Sequence, residues 1–337
     1  MSDSYSVSIN NGAKTISAQP GESLFQALAR NRVFIPTACG GRGVCGLCRL
    51  KITTSAHQPN DTEKKHLKDD DLQAGMRLAC QTIVNRDLAI EIPEAYYQAS
   101  QYRVKVSKIT HLTHDIVMLR CQAVEPKFIH LEPGAWMLFH APPSCICPDG
   151  VKRSFSIASD TRNKQVIEFI IRRTPKGICT KWIFEQLQVG NEITLEGPHG
   201  DFRLQNTTKD AIFIAGGSGL SAIRSILLEI KNKKIPKKAT LFFGAVSRRD
   251  LYLLDELQAL AKDLPGFSFI PALSAPDPDD NWQGETGLIT DVVAKHLQNA
   301  QDKEAYLCGS PGMLDACMKV LADKGMPESA IFFDKFA

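Results

Sequence analysis

The 337-residue chain predicts three folded units in series: a small α+β unit, an antiparallel β unit and a doubly wound parallel α/β unit. Three observations predict them. Four cysteines, Cys39, Cys45, Cys48 and Cys80, gather around a glycine-rich loop in the first quarter. From Tyr102 to about Asn206 polarity alternates in short runs separated by Pro and Gly, the period of strands. Beyond Asn206, short apolar runs alternate with segments whose apolar residues recur at i, i+3 and i+4, as in strand–helix units.

Composition excludes several classes. The chain is 43% hydrophobic and 23% charged, ordinary for a globular protein, and its net charge of +3 is too small to point to nucleic acid. The densest basic run, 231–238, reads as a solvated helix end. No apolar stretch reaches about 18 residues, so no transmembrane segment is expected. The start, Met-Ser-Asp-Ser-Tyr, lacks the basic and apolar regions of a secretory signal. Ten cysteines in such a chain imply a reducing, cytoplasmic setting with thiols committed to metal rather than to disulfides.

The first unit is expected over 1–95. Residues 5–9 and 14–18 alternate around the turn signal Asn11-Gly12, and Pro20-Gly21-Glu22-Ser23 opens a helix with Leu24, Leu28 and Ala29 on one face. Residues 49–53 and 88–92 read as strands, and 62–72 as a polar helix. Strands, helix and cysteine loop make a small β-grasp arrangement. The loop reads Cys39-Gly-Gly-Arg-Gly-Val-Cys45-Gly-Leu-Cys48, with Cys80 downstream. Four thiolates can hold a 2Fe–2S cluster, whose plant-type spacing is C-x4-C-x2-C with a distant fourth cysteine. Here the first gap is one residue longer. Glycines let the loop wrap an inorganic core and aim backbone N–H groups at its sulfurs. A zinc site would need a second ligand pair beside Cys80, and a simple dithiol would need neither Cys39 nor the glycines.

The second unit, over 101–206, follows a linker. Strand-like runs begin at Tyr102, Ile116, Ala135, Gln165 and Glu192, at intervals that predict an antiparallel barrel. Two stretches carry chemistry, Arg153-Ser-Phe-Ser156 and Arg172-Arg-Thr-Pro-Lys-Gly177-Ile-Cys-Thr180. Arg offers a fork of charge-assisted donors to a diphosphate, an aromatic suits a flat ring system, and a helix N-terminus offers free N–H groups to phosphate. Cys145 and Cys147, in a Pro-rich loop, read as two thiols without a third ligand.

The third unit, over 207–337, begins with the apolar strand 211–215, the turn Gly216-Gly217-Ser218-Gly219, and a helix with Ile223, Ile226, Leu227 and Ile230 on one face. The turn is not G-x-G-x-x-G, yet it brings backbone N–H groups to where a pyrophosphate approaches. Cys308-Gly309 ends a later strand, at the edge where such sheets bind ligands. Residues 240–244, 267–270, 305–308 and 331–333 are further strands, and 251–261, 289–297 and 313–322 further helices.

Taken in order, these motifs resemble the ferredoxin–NADP reductase superfamily. Residues 1–95 resemble a plant-type 2Fe–2S ferredoxin domain, with Cys39, Cys45, Cys48 and Cys80 as cluster ligands. Arg153-Ser-Phe-Ser156 resembles the Arg-x-Tyr-Ser motif. The resemblance assigns Arg153 and Ser154 to FAD binding, Phe155 to packing on the flavin, and Ser156 to the neighbourhood of flavin N5. It also assigns Ile170, Arg172, Gly177, Ile178, Cys179 and Thr180 to the flavin. Phe155 stands where Tyr is usual, and Cys179 where Ser is common. Gly216, Gly217, Ser218 and Gly219 would take the nicotinamide nucleotide, with Cys308 and Gly309 beside its ring. The aromatic tail would place Phe336 near the flavin, with Phe333 as a core strand end. Gly197-Pro-His-Gly200 resembles the turn that closes the barrel. Ser247 and Arg248 would meet the adenosine ribose and could hold a 2′-phosphate; Asp250 suits a bare diol. The resemblance favours NADH, with NADPH possible.

Two relatives share this domain order, reductase components of bacterial oxygenases and the F subunit of sodium-translocating NADH–quinone reductases. The loop spacing, Asp280-Asn-Trp-Gln-Gly284 and Phe333-Asp-Lys-Phe are similar to the second. That subunit normally begins with a membrane helix, so a soluble relative is expected. The resemblance implies an NADH-dependent reductase. A hydride carries two electrons and the cluster takes one, so a flavin stands between them. Plant-type clusters lie at about −400 mV, which suits onward transfer to a partner redox protein docking near the cluster loop. The alternatives are a stand-alone quinone, dye or ferric reductase, and a non-enzymatic nucleotide-sensing electron carrier.

Overall fold

The computed structural model describes residues 4–92 and 100–335, apart from Arg32, Phe34, Pro36, Ala38 and Ser55. The first sheet is built from β1 (Tyr5–Ile9), β2 (Lys14–Ala18), β3 (Arg49–Ile52), β4 (Met76–Leu78) and β5 (Leu88–Glu91). Its order is β2-β1-β5-β3-β4, and β1 and β5 run parallel. Helix α1 (Leu24–Arg30) starts on a capping box between Ser23 and Gln26 and buries Leu24 and Leu28 against Val7, Ile9, Leu50 and Ile90. The helix expected over 62–72 is two short ones, α2 (Asp61–His66) and α3 (Asp69–Gln73). Leu67 is extended between them, and Asp69, Asp70 and Asp71 start a new N-terminus, the end of a helix that favours negative charge.

The second sheet comprises β6 (Ser100–His111), β7 (Ile116–Glu125), β8 (Trp136–Ala141), β9 (Val151–Ser156), β10 (Val166–Arg172) and, after α4 (Ile178–Glu185), β11 (Glu192–His199). Its order is β10-β7-β6-β11-β8-β9, and a bridge between Ile157 and Phe169 brings its two ends together as a barrel. Phe139, Phe169, Leu119, Trp182 and Leu195 fill the interior. The segment read as the turn Gly197-Pro-His continues β11 through a bulge between Glu196 and His199.

The third sheet is parallel, in the order β15-β14-β13-β12-β16-β17. Its strands are β12 (Asp210–Gly216), β13 (Ala239–Ala245), β14 (Phe267–Leu273), β15 (Glu285–Thr286), β16 (Lys303–Gly309) and β17 (Ile331–Lys335). Helices α5 (Leu220–Asn232) and α6 (Leu254–Asp263) cover one face, and α7 (Ile289–His296) and α8 (Pro311–Asp323) the other. The second helix begins at Leu254 rather than Leu251, because Leu253 takes a left-handed φ of 54° that breaks the turn. The core aromatic of β17 is Phe332, stacked 5.2 Å from Tyr306; Phe333, expected as a core strand end, points outward beneath Lys335.

A buried ion pair, Lys237 with Glu304, lies in this unit. Glu304 also accepts from Tyr306 Oη at 2.7 Å and from Thr207 Oγ1 at 2.6 Å, so every charge there has partners. Glu304→Gln leaves the Lys237 ammonium buried without a counter-charge and is expected to cost about 3–5 kcal/mol in urea unfolding. A loss no larger than that of a surface pair, about 1 kcal/mol, overturns this.

Candidate active site and cluster centre

The cysteine loop reverses direction at Gly40, Gly41, Gly43 and Gly46, all at positive φ, which L side chains rarely adopt. This wrapping sets the sulfurs in two pairs: Cys39 and Cys45 Sγ lie 3.3 Å apart, as do Cys48 and Cys80. A tetrahedral metal with bonds to sulfur of about 2.3 Å separates two thiolates by about 3.7 Å. Each pair therefore fits one iron of a two-iron cluster. Among the described residues no three His, Cys, Asp or Glu side chains converge as a single-ion site requires. The donors fit as well. Burial raises the Cys39 thiol, but the N–H groups of Val44 and Arg42, with Cys45 and Thr37, bring it down to about 7. Cys80 falls to about 6, chiefly because the Cys48 thiol donates to it; burial opposes, and Gln81 and the Gly43 N–H assist.

A network holds Cys80 from behind. Gln81 Nε2 donates to its sulfur at 3.5 Å, and Gln81 Oε1 accepts from Asn60 Nδ2 at 3.3 Å. Asn60 is the N-cap of α2 and forms a capping box with Glu63. Glu63, fully buried, accepts from Leu78 N at 3.0 Å and pairs with His57.

In the barrel, alternation along β9 puts Arg153 and Phe155 on one face and Ser154 and Ser156 on the other. Phe155 is half-buried and meets Phe139 edge-on at 5.7 Å. The Arg153 guanidinium lies close enough to the start of α4 to oppose the burial that pushes Cys179 up to about 12. Gly177 caps α4 with no side-chain acceptor, which leaves first-turn N–H groups open to phosphate. A Cβ on Gly177 would lie 1.9 Å from Thr174 Oγ1 and 2.5 Å from Thr180 Oγ1, so a side chain there would displace these two hydroxyls. Thr180 Oγ1 is spent inside this turn on Gly177 O and Thr174, and the Cys179 thiol is buried in the barrel core. For these two, the side chains are committed within the protein, and backbone N–H groups are what the helix start can offer a ligand. Ile178 remains exposed at the helix start. Ile170 is core, with its N–H on Ser221 Oγ at 3.4 Å.

At the nucleotide turn, Gly217 has a φ of 54° and its carbonyl accepts from Tyr252 Oη at 2.7 Å. Ser218 sits mid-turn, and a Cβ on Gly219 would come within 2.0 Å of Cys308 O, so the turn rests against the end of β16. Arg172, held by Asp115 at 2.6 Å, reaches this turn beside Gly217. Cys308 is fully buried, and burial raises its thiol well above the ordinary range. Gly309 follows it, and the β17 residue in register with Cys308 is Asp334.

Asp334 is the site residue that sequence reasoning misses. Its Oδ2 accepts from Ser156 Oγ at 3.2 Å across the junction of barrel and nucleotide unit. Burial raises its carboxyl to about 6; Ser156 opposes and Asp201 adds to the shift. The aromatics of the tail draw attention away from it, and the available signal is an acid one strand over from a cysteine. Phe336 lies outside the described residues. Ser247 gives both its N–H (2.9 Å) and its hydroxyl (2.8 Å) to Asp250 Oδ2, and the Arg248 N–H goes to Asp280. With that hydroxyl committed to a carboxylate, the turn suits a ribose diol better than a phosphate.

Fold and site together define an NADH-dependent iron–sulfur flavoprotein oxidoreductase with a 2Fe–2S cluster, FAD and NADH as its cofactors. Residues 7–85 match the 2Fe-2S iron-sulfur cluster binding domain, 103–204 the oxidoreductase FAD-binding domain, and 213–319 the oxidoreductase NAD-binding domain. The chain belongs to the family of the F subunit of the Na(+)-translocating NADH-quinone reductase. It is 30% identical to the F subunit of Neisseria meningitidis over 97% of this chain and 90% of the relative, and 30% identical to that of Klebsiella pneumoniae over 98% and 91%. Among solved structures it is similar to the Amycolatopsis cytochrome P450 reductase GcoB (TM-score 0.80, 26% identity, 98% of each chain). It is also similar to the ferredoxin reductase in carbazole 1,9a-dioxygenase (TM-score 0.74, 28% identity, 99% of each chain). Among the described residues no helix is long and apolar enough to cross a membrane.

Gln81→Leu removes an N–H···S bond that favours the reduced, more negative cluster. The midpoint potential in an EPR-monitored titration is expected to fall, with the flavin potential unmoved. An unchanged cluster potential refutes a tuning role for Gln81.

Proposed function

We propose that this chain takes hydride from NADH and passes single electrons through its 2Fe–2S cluster to a separate redox protein, such as an oxygenase component. The observation that supports a protein acceptor is the rim of the cluster loop. Val44 (68% exposed), Leu47 (40%) and Ile83 (53%) surround the cysteines as uncovered large apolar side chains. Such a patch at a redox centre suits the small interfaces of transient electron-transfer encounters. Oxygenase and P450 reductases share the whole architecture, which favours an acceptor of that kind.

In this reading the chain divides into functional units over 1–95, 101–206 and 207–337. Arg153 and the open N–H groups of α4 hold the flavin phosphates, Phe155 lies against its ring, and Cys39, Cys45, Cys48 and Cys80 ligate the cluster. The flavin, when bound, supplies the exchange between two-electron and one-electron chemistry. The turn 216–219 and Arg172 hold the dinucleotide phosphates. Buried Cys308, with its thiol kept protonated, packs beside the nicotinamide. The Ser156 hydroxyl and the Asp334 carboxylate form a two-member path that can carry one proton at the domain junction.

Anaerobic titration with NADH and, separately, NADPH tests this. Bleaching of the flavin near 450 nm and then of the cluster absorbance, at lower concentration of NADH, is expected. A bound flavin that neither nucleotide bleaches ends the reductase reading. A cluster that reduces small quinones or ferric chelates as fast as any protein acceptor ends the partner reading.

Asp334 also makes a pH prediction. Its folded pKa of about 6 lies above the unfolded value of about 3.9. Its stabilising contribution is therefore full below about pH 4 and is lost as pH rises through about 6. Asp334→Asn is expected to remove that slope from the thermal midpoint of the cofactor-free chain between pH 4 and 6.5. An unchanged slope places the titration elsewhere.

A further inference from the structure

We infer that the barrel-facing side of α5, through Ser221 and Arg224, positions Ser156 for hydride transfer by fixing the flavin barrel against the nucleotide unit. The inference rests on the reductase reading above. Ser221, Arg224 and Ser225 fall at i, i+3 and i+4, so they share one face of the helix. The apolar residues Ile223, Ile226, Leu227 and Ile230 are buried in the core beneath the helix's own sheet. Each member of this polar stripe bonds the barrel, and Arg224 also reaches α6.

Ser221 Oγ donates to Ser156 O at 2.7 Å and accepts from Ile170 N at 3.4 Å. Arg224 Nη1 donates to Ala158 O at 2.5 Å and to Glu168 Oε2 at 3.1 Å, and its other nitrogens grip Glu256 on α6 at 2.6 and 3.1 Å. Ser225 Oγ accepts from Gly134 N at 2.9 Å. Ser221 and Ser225 are each 1% exposed, so these bonds form away from water. Losing one leaves a buried donor or acceptor unpaired.

The consequence is geometric. Ser156 is tied twice to the nucleotide unit: its carbonyl by Ser221 on α5 and its hydroxyl by Asp334 on β17. Helix α5 follows directly from the 216–219 turn, so whatever shifts α5 also shifts the nucleotide site. The stripe touches neither the phosphate-facing end of α4 nor the cysteine loop. It therefore acts on the distance between the two reacting rings, where a displacement of about 1 Å can cost about 10²-fold in rate.

The test compares the wild-type holoenzyme with Ser221→Ala, Arg224→Met and the conservative Arg224→Lys. Stopped-flow bleaching of the flavin is followed with NADH and with NADH deuterated at the transferred position. Calorimetry is run on the cofactor-free chains. Expected are a saturating rate lowered by about 10²-fold, a half-saturating NADH concentration unchanged, a larger isotope effect, and partial recovery in Arg224→Lys. In calorimetry the barrel and nucleotide unit unfold together in the wild type and separately in Arg224→Met. Rates equal to wild type overturn the inference. So does a fall in rate matched by lost FAD or by a matching rise in half-saturating NADH, which marks ordinary damage to binding. So does a single joint transition kept in Arg224→Met. If the wild type itself is not bleached by NADH, the reductase reading fails before any variant is compared.

Discussion

The molecule depends on one topological constraint in its last sheet. β12 has β13 on one side and β16 on the other, so the connections leaving β12 and β13 run one way and the chain then returns past β12 to add β16. The carboxyl ends of β12 and β16, where the strand order reverses, are the edge at which open α/β sheets bind ligands. The 216–219 turn, Cys308 and, through β17, Asp334 all lie on that edge. Ser156 is brought to the same edge from a different sheet. What would otherwise be four distant stretches of sequence become one site because the strand order reverses there.

The other centre follows a different logic. The proposed nucleotide site is framed by strand ends, which are rigid, and few side chains reach it, among them Arg172, Tyr252 and Asp334. The cluster site is made by a loop with almost no regular structure. Its rigidity comes from contacts that only glycines permit, such as Gly46, where a Cβ would lie 2.8 Å from the His66 ring. Arg49 closes the loop from below by donating to Gly46 O at 2.8 Å and His66 O at 2.9 Å. A one-residue-longer first gap is absorbed in this wrapping without disturbing the two sulfur pairs.

Most of the architecture was legible because each unit announces itself locally: cysteine spacing in the first, period-2 alternation in the second, apolar strands followed by amphipathic helices in the third. The failures share a cause. β9 hides as a strand because Lys152, Arg153 and Ser154 make it polar, and its pairing with β8 supplies what propensity does not. Thr180 and Cys179 (the latter where Ser is common) read as ligand-facing from their place at a helix start, yet the Thr180 hydroxyl is spent within the turn and the Cys179 thiol is buried in the barrel core. Asp334 and Ser221 meet Ser156 only through register and interdomain contact, and neither leaves a trace in a one-dimensional pattern. Phe333 and Phe332 differ by one position and so by strand face, a distinction that depends on a register no sequence states.

The chain Asn60–Gln81–Cys80 has a consequence for how the protein is made. The sulfur that completes the cluster is held by an amide whose own partner is the cap of α2, and that cap is locked by Glu63 to the strand that leads into Cys80. Metal loading and the docking of α2 are then parts of one equilibrium, and iron binding is folding free energy for this region. A cell short of iron would accumulate chains in which α2 frays while the barrel and nucleotide sheet stay intact. In such chains the one-electron outlet through the cluster would be missing, and a reduced flavin would be left to whatever acceptor reaches it directly.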